Sequence, residues 1–388
     1  MNSCFADDKT YIANTYSRFP LQIVSGKGSL CYDQDGKRYV DLGTGIAVNT
    51  LGFSDPMWVE AVTAQLQSFQ HTSNLYYTSP CVELAKLLSA RTGCKKVFFA
   101  NSGAEANECA IKVARKYATE KKGIQNPVIL TLVNSFHGRT ITTLAATGQE
   151  VFHKDFLPLT EGFVYTPAND VAALEEAVKT HSPSAILFEM VQGEGGVIPL
   201  EPGFVEKMVA LAAEKDILLV ADEVQTGNGR TGKLYSYMHY GFTPDIVTTA
   251  KGLGGGLPIG AALLFDKVAD ILTPSSHGST FGGNPVCAAG ALHILSRLDE
   301  ELLSGVTQRA SLIQESLTGA PGIDSITGLG LMIGIQTKKP AAEVAKLCLE
   351  KGVMVLTAKN KVRLLPALNI PLDLLCEALG VLKEVCAG

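Results

Sequence analysis

One lysine of the sequence stands between an apolar run and a cluster of glycines. The stretch TTAKGLGGG covers residues 248–256 and places Lys251 directly after residues typical of a β-strand. A lysine held against packed backbone loses part of its hydration, so its pKa falls and the amine becomes a nucleophile toward aldehydes. The alternative is a solvated lysine of a surface loop. Lys251 is therefore a candidate for covalent chemistry that other residues must support.

A second candidate is a carboxylate at the end of the apolar run ILLVA. Asp222 and Glu223 follow this run and begin the segment DEVQTGNGRTG, residues 222–232. A carboxylate that emerges from a buried strand needs a cationic partner, because an unpaired buried charge is costly. The pattern indicates either a cationic group on a ligand or a structural ion pair within the protein.

A third candidate is the segment NSGAEAN, residues 101–107, at the start of an amphipathic stretch. The first amides of a helix have no partner in their own helix, and together with the helix dipole they favour an anion such as phosphate. A Ser-Gly sequence at this point is also an ordinary helix cap. Together, an anion cradle, a buried carboxylate and a masked amine are what pyridoxal phosphate requires, for its phosphate, its ring nitrogen and its aldehyde.

The surrounding pattern predicts how these residues are positioned. From about residue 95, short β-branched or aromatic runs alternate with amphipathic helical stretches, which is typical of a mainly parallel sheet covered by helices. Ligands of such sheets bind beyond the carboxyl ends of the strands, where all three candidates fall. Before residue 55, the Asp-Gly turn signal in GSLCYDQDGKRYVDLGTG favours small antiparallel strands. After residue 287 helical patterns resume, with short strand candidates GVMVLTA and KVRLLPA.

Composition narrows the class of protein. The 388 residues are 46% hydrophobic with a net charge of −5, which predicts a globular protein and argues against a nucleic-acid partner. The nine cysteines form no C-x-x-C pair and no zinc-type Cys/His cluster, so we expect reduced thiols and no metal site. The first residues lack the features of a signal peptide, and no stretch resembles a membrane span, so we expect a cytoplasmic location.

Six segments in order resemble one known family. NSGAEAN, SFHGRT, VQGEGG, DEVQTGNGRTG, TTAKGLGGGLPIG and HGSTFGGNP are similar to the motifs of the class III pyridoxal-phosphate aminotransferases, and the similarity covers nearly the whole chain. The resemblance implies the type I aminotransferase fold: a large domain with a mainly parallel sheet flanked by helices, and a smaller α+β domain built from both chain ends. We expect residues 1–55 to join the small domain, 56–286 to form the large cofactor-binding domain and 287–388 to form the small domain. It also implies a homodimer with shared active sites.

The resemblance further implies a role for individual residues. Lys251 takes the Schiff-base position, Asp222 pairs with the pyridine nitrogen, and Phe136 stacks on the ring. Gln225 bonds the ring hydroxyl, and Glu189 lines the pocket. The residues expected to contact pyridoxal 5'-phosphate are Gly103, Ala104, Phe136, Asp222, Glu223, Val224, Gln225, Lys251 and Thr280, the last from the partner subunit. Those expected to contact substrate are Arg139, Glu194, Arg363 and, across the dimer, Ser279.

The implied reaction transfers the amino group of N2-acetyl-L-ornithine to 2-oxoglutarate, giving N-acetyl-L-glutamate 5-semialdehyde and L-glutamate in arginine biosynthesis. In this scheme Arg139 clamps the far carboxylate of acetylornithine and Arg363 receives the α-carboxylate of glutamate. Glu194 is expected to neutralise Arg363 and to swing away when glutamate arrives.

The sequence departs from the family motifs at two places, and two alternative functions are open. Many relatives have LGHCHP where this chain has LGFSDP, residues 51–56, and Met190 replaces a more usual proline. One alternative is another ω-aminotransferase of the family, acting on ornithine, succinylornithine, succinyldiaminopimelate or 4-aminobutyrate, since these share the cofactor residues. The other is a non-catalytic cofactor-binding regulator, which the presence of Lys251, Asp222 and Arg139 disfavours.

Overall fold

The apolar runs of the middle of the chain assemble into one seven-stranded sheet. The computed structural model describes residues 3–388, so the first two residues of the predicted N-terminal segment lie outside it. The strand order is β4-β12-β11-β10-β7-β5-β6, and only β12 runs antiparallel to its neighbours. The strands are β1 (Ile23–Lys27), β2 (Leu30–Asp33), β3 (Arg38–Asp41), β4 (Lys96–Ala100), β5 (Ile129–Leu132), β6 (Phe163–Thr166), β7 (Ala185–Phe188), β8 (Val191–Gln192), β9 (Ile198–Pro199), β10 (Leu218–Asp222), β11 (Ile246–Thr249), β12 (Gly260–Leu264), β13 (Ile323–Leu329), β14 (Met332–Thr337), β15 (Val353–Met354), β16 (Leu356–Ala358) and β17 (Lys361–Leu364).

Helices cover this sheet and pack against the smaller sheets. They are α1 (Ser3–Tyr11), the left-handed turn α2 (Thr44–Ala47), α3 (Pro56–Ser68), α4 (Ser79–Thr92), α5 (Gly103–Lys122), α6 (Ile141–Ala146), α7 (Val171–His181), α8 (Pro202–Lys215), α9 (Pro285–Arg297), α10 (Glu300–Leu317), α11 (Ala341–Glu350) and α12 (Leu372–Ala387). The predicted α/β class with a mainly parallel sheet is confirmed.

The two chain ends meet in a four-stranded sheet of order β1-β2-β3-β15. β3, from the N-terminal part of the chain, pairs in parallel with β15, from the C-terminal part, with Val40 opposite Val353. A second antiparallel sheet has the order β13-β14-β17-β16. The proposed domain boundary at residue 286 falls inside α9, and α9 packs against α3 and α4.

The strand and helix that matter most for the site follow from their sequences. All five residues of β10, LLVAD, are buried, as expected for a central strand covered on both faces. α5 begins at the cap Ser102, whose hydroxyl accepts from the amide of Glu105 at 3.2 Å, and ends at Gly123 in the left-handed conformation. Its apolar face packs against β4, β11 and β12, so its N-terminus is fixed beside the ends of these strands.

The departure LGFSDP has a local structural role. Asp55 caps α3 by accepting from the amide of Trp58 at 3.0 Å, and Phe53 exchanges two backbone hydrogen bonds with Gly28. Asp55 also lies 3.4 Å from His293 and 3.7 Å from Arg297 of α9. These residues therefore dock the N-terminal hairpin and α3 onto α9.

The described residues contain neither a membrane-spanning helix nor a cluster of metal ligands. None of the helices in the described part of the chain is both long and apolar enough to traverse a bilayer. No group of three or more His, Cys, Asp or Glu residues among residues 3–388 could hold a metal ion.

Candidate active site

A cavity of about 420 Å³ lies beyond the carboxyl ends of β10 and β11. The cavity brings together the ends of these two strands and the N-terminus of α5. The strand that precedes α5 is β4, and β12 separates it from β11, so the three candidate segments do not all follow adjacent strands. The lining residues are Val48, Asn101, Ser102, Gly103, Ala104, Asn107, Phe136, His137, Gly138, Arg139, Glu189, Asp222, Val224, Gln225, Ala250, Lys251, Gly256, Leu257, Pro258 and Ile259.

The N-terminus of α5 forms one wall of this cavity. The amides of Gly103 and Ala104 lie in the first turn, where no carbonyl of their own helix can accept from them. A Cβ atom at residue 103 would lie 2.6 Å from Cγ1 of Val224, so glycine permits the close approach of this turn to the segment after β10. The turn presents donors and the positive end of a helix dipole to an anion.

The carboxylate of Asp222 is held by three donors at the bottom of the cavity. Its Oδ2 accepts from Nδ2 of Asn107 and lies within bonding distance of Nδ1 of His137, both at 2.8 Å, and its Oδ1 accepts from the amide of Val224 at 3.0 Å. Thr248 in turn donates to Oδ1 of Asn107 at 2.7 Å, which fixes the amide orientation. These contacts fix the orientation of the Asp222 carboxylate at the cavity.

His137 and Asn107 are site residues that the sequence analysis did not single out. Both lie inside motifs quoted above, SFHGRT and NSGAEAN, but a histidine or asparagine within a motif has no partner that the sequence alone reveals. Both side chains are buried, at 2% and 1% exposure. Their shared contact with Asp222 shows that they orient this carboxylate.

Lys251 lies two residues after the end of β11 and is partly buried, with a positive φ of 46°. Burial lowers the pKa of its amine, and the nearby charge of Arg363 acts in the same direction, while the carboxylates of Glu194, Asp222 and Glu189 oppose the shift. The net shift is downward, so the amine carries less charge at neutral pH than an ordinary lysine. This is the environment that turns a lysine into a nucleophile.

Glu189 is buried behind Phe136 and beside Asp222. Its Oε1 accepts from the amide of Phe136 at 2.8 Å and its Oε2 from the amide of Gly193 at 3.1 Å. Burial raises the pKa of this carboxyl to about 7, and the charge of Asp222 adds to the shift, whereas His137 and the two amides oppose it. The Glu189 carboxyl is therefore partly protonated at neutral pH, unlike an ordinary glutamate.

An ion pair adjoins the cavity through Gln225. Nη1 of Arg363 donates to Oε1 of Glu194 at 2.6 Å and to Oε1 of Gln225 at 3.2 Å. Burial alone would raise the pKa of Glu194, but the charge and hydrogen bond of Arg363, with a contribution from Lys251, lower it below its ordinary value. The two residues expected to contact substrate are thus already joined to each other.

Arg139 lies exposed at the mouth of the cavity against two aromatic rings. Its guanidinium carbon is 4.1 Å from the ring centroid of Phe152 and 5.5 Å from that of Phe136. No carboxylate of the described residues lies within 4.0 Å of it as an ion pair. Arg139 is positioned to bind a carboxylate that comes from outside the protein.

Five of the predicted site residues do not line the cavity of their own chain: Glu194 and Arg363, which adjoin it through Gln225, and Glu223, Ser279 and Thr280. Glu223, expected as a cofactor contact, is buried elsewhere and accepts from Thr226 at 2.6 Å, from Ser236 at 2.7 Å and from a backbone amide. Its side chain turns away because neighbouring residues of a strand point to opposite faces. Ser279 and Thr280, expected to act across a dimer, are not among the cavity's lining residues, although Oγ of Ser279 accepts from Nδ2 of the lining residue Asn101 at 3.1 Å.

Comparison with known proteins agrees with this arrangement. The sequence matches the family Aminotransferase class-III over residues 11–386. The chain belongs to the class-III aminotransferase family. It is 50% identical to an acetylornithine aminotransferase of Haemophilus ducreyi over 97% of each chain.

Solved structures of this family have the same fold. An ornithine aminotransferase of Toxoplasma gondii superposes with a TM-score of 0.94 at 32% identity, covering 99% of this chain and 94% of that one. An N-acetylornithine aminotransferase of Stenotrophomonas maltophilia gives 0.86 at 33% identity, covering 98% of each chain. The predicted family and the aminotransferase fold are confirmed.

Proposed function

We propose that this class-III aminotransferase transfers the amino group of N2-acetyl-L-ornithine to 2-oxoglutarate with pyridoxal 5'-phosphate as cofactor. The observation that carries the proposal is the position of Lys251, which shares one cavity with the carboxylate of Asp222 and the first turn of α5. The proposal also rests on the acetylornithine aminotransferase of H. ducreyi, half of whose aligned residues are identical.

The residues present fit this cofactor. The amides of Gly103 and Ala104 suit its phosphate, Phe136 suits one face of its ring, and Asp222 suits its protonated ring nitrogen. The related T. gondii enzyme contains pyridoxal phosphate at its active site. When bound, the cofactor withdraws the electrons of the C–H bond that is broken in the substrate.

The protein's own residues supply binding and proton transfer. The amine of Lys251, with its lowered pKa, takes the proton from the carbon that bears the substrate's amino group and later returns one. Asp222, held by His137 and Asn107, maintains the charge that keeps the ring nitrogen protonated. Arg139 holds the far carboxylate of acetylornithine.

Glu194 and Arg363 distinguish the two amino donors. Glutamate carries a carboxylate on its reacting carbon, whereas acetylornithine presents a methylene group there. An unpaired arginine beside a methylene group would be costly, so Glu194 pairs with Arg363 while acetylornithine is bound. When glutamate or 2-oxoglutarate binds, its α-carboxylate takes the place of Glu194.

Ornithine is the second candidate donor, because the solved structure of an ornithine aminotransferase superposes on the chain with a TM-score of 0.94. Acetylornithine is preferred on sequence, since the identity to the H. ducreyi enzyme is 50%, against 32% to this structure. The α-nitrogen is charged in ornithine and acetylated in acetylornithine. Direct competition between the two donors therefore shows which of them the site prefers.

A homodimer with shared active sites is part of the proposal. Leu75, Tyr76 and Tyr77 are 85%, 71% and 101% exposed. Burial against a second copy would remove the unfavourable exposure of this apolar surface to water. Asn74, directly before them, donates to the backbone carbonyl of Ser279 at 2.9 Å. This bond ties the loop of Ser279 and Thr280 to the exposed apolar segment and supports their role in the partner's cavity.

We also propose a cytoplasmic location, a reducing compartment. None of the nine cysteines, all of which lie within the described residues, is part of a disulfide, and six of them are buried.

A panel of amine donors with 2-oxoglutarate tests the function. Acetylornithine should have the highest kcat/KM among acetylornithine, ornithine, succinylornithine and 4-aminobutyrate, and borohydride should attach the cofactor to Lys251. Lys251→Ala should bind cofactor without turnover, while Lys346→Ala, at an exposed position of α11, should behave as wild type. Cofactor fixed on another lysine, or a faster reaction with a different donor, would refute the corresponding part of the proposal.

A further inference from the structure

The backbone at Lys251 adopts a conformation that a lysine rarely occupies. Its φ of 46° lies in the left-handed region, and it opens a short 3-10 turn, Lys251–Leu253. For a residue with a Cβ atom this region costs of order 1 kcal/mol or more, and it persists only where the surroundings enforce it. The side chain at this position therefore depends on whatever holds the turn.

Three side chains hold alternate carbonyl groups of this turn. We call them the carbonyl clamp: Asn228 Nδ2 donates to the carbonyl of Ala250 at 3.1 Å, Thr50 Oγ1 to that of Gly252 at 2.7 Å, and Trp58 Nε1 to that of Gly254 at 3.2 Å. The bonds therefore lie on both sides of Lys251. Together they fix the direction of the peptide groups before and after it.

The clamp residues come from three different parts of the fold. Thr50 follows the left-handed turn α2 and is tied to the C-terminal part of the chain, because its carbonyl accepts from the amide of Leu368 at 2.9 Å. Trp58, the only tryptophan of the sequence, lies on α3. Asn228 lies in the loop after β10 and also donates to Thr249 at 3.0 Å. The turn is thus braced from independent directions.

Packing at the clamp leaves little room for adjustment. Thr50 and Asn228 are 1% and 2% exposed. A Cβ atom at residue 252 would lie 2.7 Å from Oγ1 of Thr50, so the glycine backbone is pressed against the hydroxyl that binds it. Loss of this hydroxyl would leave a buried carbonyl without its donor.

We propose that Thr50, Trp58 and Asn228 are positioning residues that keep Lys251 in its left-handed conformation and its amine directed into the cavity. The inference rests on the proposed function, in which Lys251 is the reacting amine. Without the clamp the turn relaxes toward an ordinary conformation, and the amine moves away from the reacting carbon. Substrate binding is little affected because Arg139 and Arg363 lie on other elements.

The test compares isosteric variants of Thr50. Thr50→Val removes the hydroxyl and keeps the shape, and Thr50→Ser restores the hydroxyl. Thr50→Val should lower kcat with acetylornithine by about ten- to a hundredfold, since small misplacements of a reacting group have effects of this size, with KM nearly unchanged. Thr50→Ser should recover most of the rate, and Trp58→Phe should resemble Thr50→Val. The matched control is Thr166→Val, a buried threonine of β6 whose hydroxyl has no partner among the described residues.

A second measurement needs neither cofactor nor turnover. Cofactor-free protein is treated with limiting formaldehyde and cyanoborohydride, and methylation of Lys251 is compared with that of exposed Lys346 by peptide mass spectrometry. Lys251 should react several-fold more slowly in Thr50→Val and Trp58→Phe, and at the wild-type rate in Thr50→Ser and Thr166→Val.

The outcomes separate the clamp from the proposed function. If the wild type transaminates no donor, the proposed function fails, and the methylation rates still decide the clamp. If Thr50→Val and Trp58→Phe lower the melting temperature but leave both kcat and Lys251 methylation unchanged, the clamp residues serve only stability and the inference is wrong.

Discussion

The ion pair between Glu194 and Arg363 allows a quantitative test of donor selection. The Arg363 side chain is 3% exposed and that of Glu194 is 29% exposed, with 2.6 Å between them. Glu194→Gln removes the charge and keeps a hydrogen-bonding group of the same size. Loss of one partner of a fully buried pair costs about 3–5 kcal/mol. Because Glu194 reaches solvent and Gln225 still accepts from Arg363, we expect about 1–3 kcal/mol of destabilisation.

The same energy determines the effect on the two half-reactions. In the proposed mechanism the α-carboxylate of glutamate displaces Glu194 from Arg363 in the wild type. Without that competitor, glutamate should bind about 5–150-fold more tightly, the factor that corresponds to 1–3 kcal/mol. Acetylornithine should bind more weakly, because its methylene group then faces an uncompensated Arg363. Stopped-flow measurement of each half-reaction gives both affinities, and thermal unfolding gives the change in stability.

The control and the pH dependence sharpen this test. Glu206→Gln makes the same charge change at an exposed position of α8 and should alter neither half-reaction. The folded pKa of Glu194 lies below its ordinary value of 4.5, so the pair's stabilisation is present above pH 4.5 and is lost as the pH falls through the folded pKa. Equal changes of both half-reactions in Glu194→Gln would refute the selection mechanism.

Three further predictions concern the other polar groups of the cavity. Asp222→Asn should leave the fold intact and lower kcat by orders of magnitude, which steady-state kinetics with circular dichroism would check; near-normal rates with a much lower melting temperature would instead indicate a structural ion pair. Glu189 has a pKa raised from 4.5 to about 7, so it binds more protons when folded, and the free energy of unfolding of the wild type should fall relative to Glu189→Gln as the pH rises through this range. Chemical denaturation at several pH values would show a constant difference if this is wrong. Arg139→Ala should weaken both half-reactions and Arg139→Lys should restore little, because lysine lacks the planar fork; full recovery with lysine would contradict a bidentate role.

The sequence predicted the central architecture because its signals are local. Several strands of the sheet are short apolar runs, as in LLVAD of β10, and β4 is followed by a turn and the amphipathic stretch that becomes α5. The motifs then placed Asp222, Lys251 and the turn at Gly103 at strand and helix ends. The structure brings all three to one cavity.

Elements without local signals were not predicted. β12, with the sequence GAALL, lacks β-branched residues and inserts antiparallel between β4 and β11, which depends on long-range pairing alone. The hairpin of β13 and β14 is interrupted by several glycines and was also not anticipated. Propensity is a weak guide where pairing with distant strands decides the structure.

Contacts between distant residues set a similar limit within the site. His137 and Asn107 reach Asp222 across separations of 85 and 115 residues, so no spacing rule could identify them as its partners. The direction of Glu223 was predictable in principle, because a residue that follows a cavity-facing strand residue points to the other side. Its partners Ser236 and Thr226 required the structure.

The charges of the cavity explain why two anions can bind beside three carboxylates. Glu189 is partly protonated near neutral pH, Asp222 contacts His137 and accepts a hydrogen bond from Asn107, and Glu194 is paired with Arg363. Glu189 and Glu194 therefore bring little uncompensated negative charge, whereas the charge of Asp222 is left for a cationic group of a ligand. Two electropositive groups of the cavity have no ion-pair partner among the described residues: the first turn of α5, which forms one wall of the cavity, and the guanidinium of Arg139 at its mouth. In the proposed reaction the first binds the phosphate and the second binds the substrate carboxylate, and Lys251 lines the same cavity.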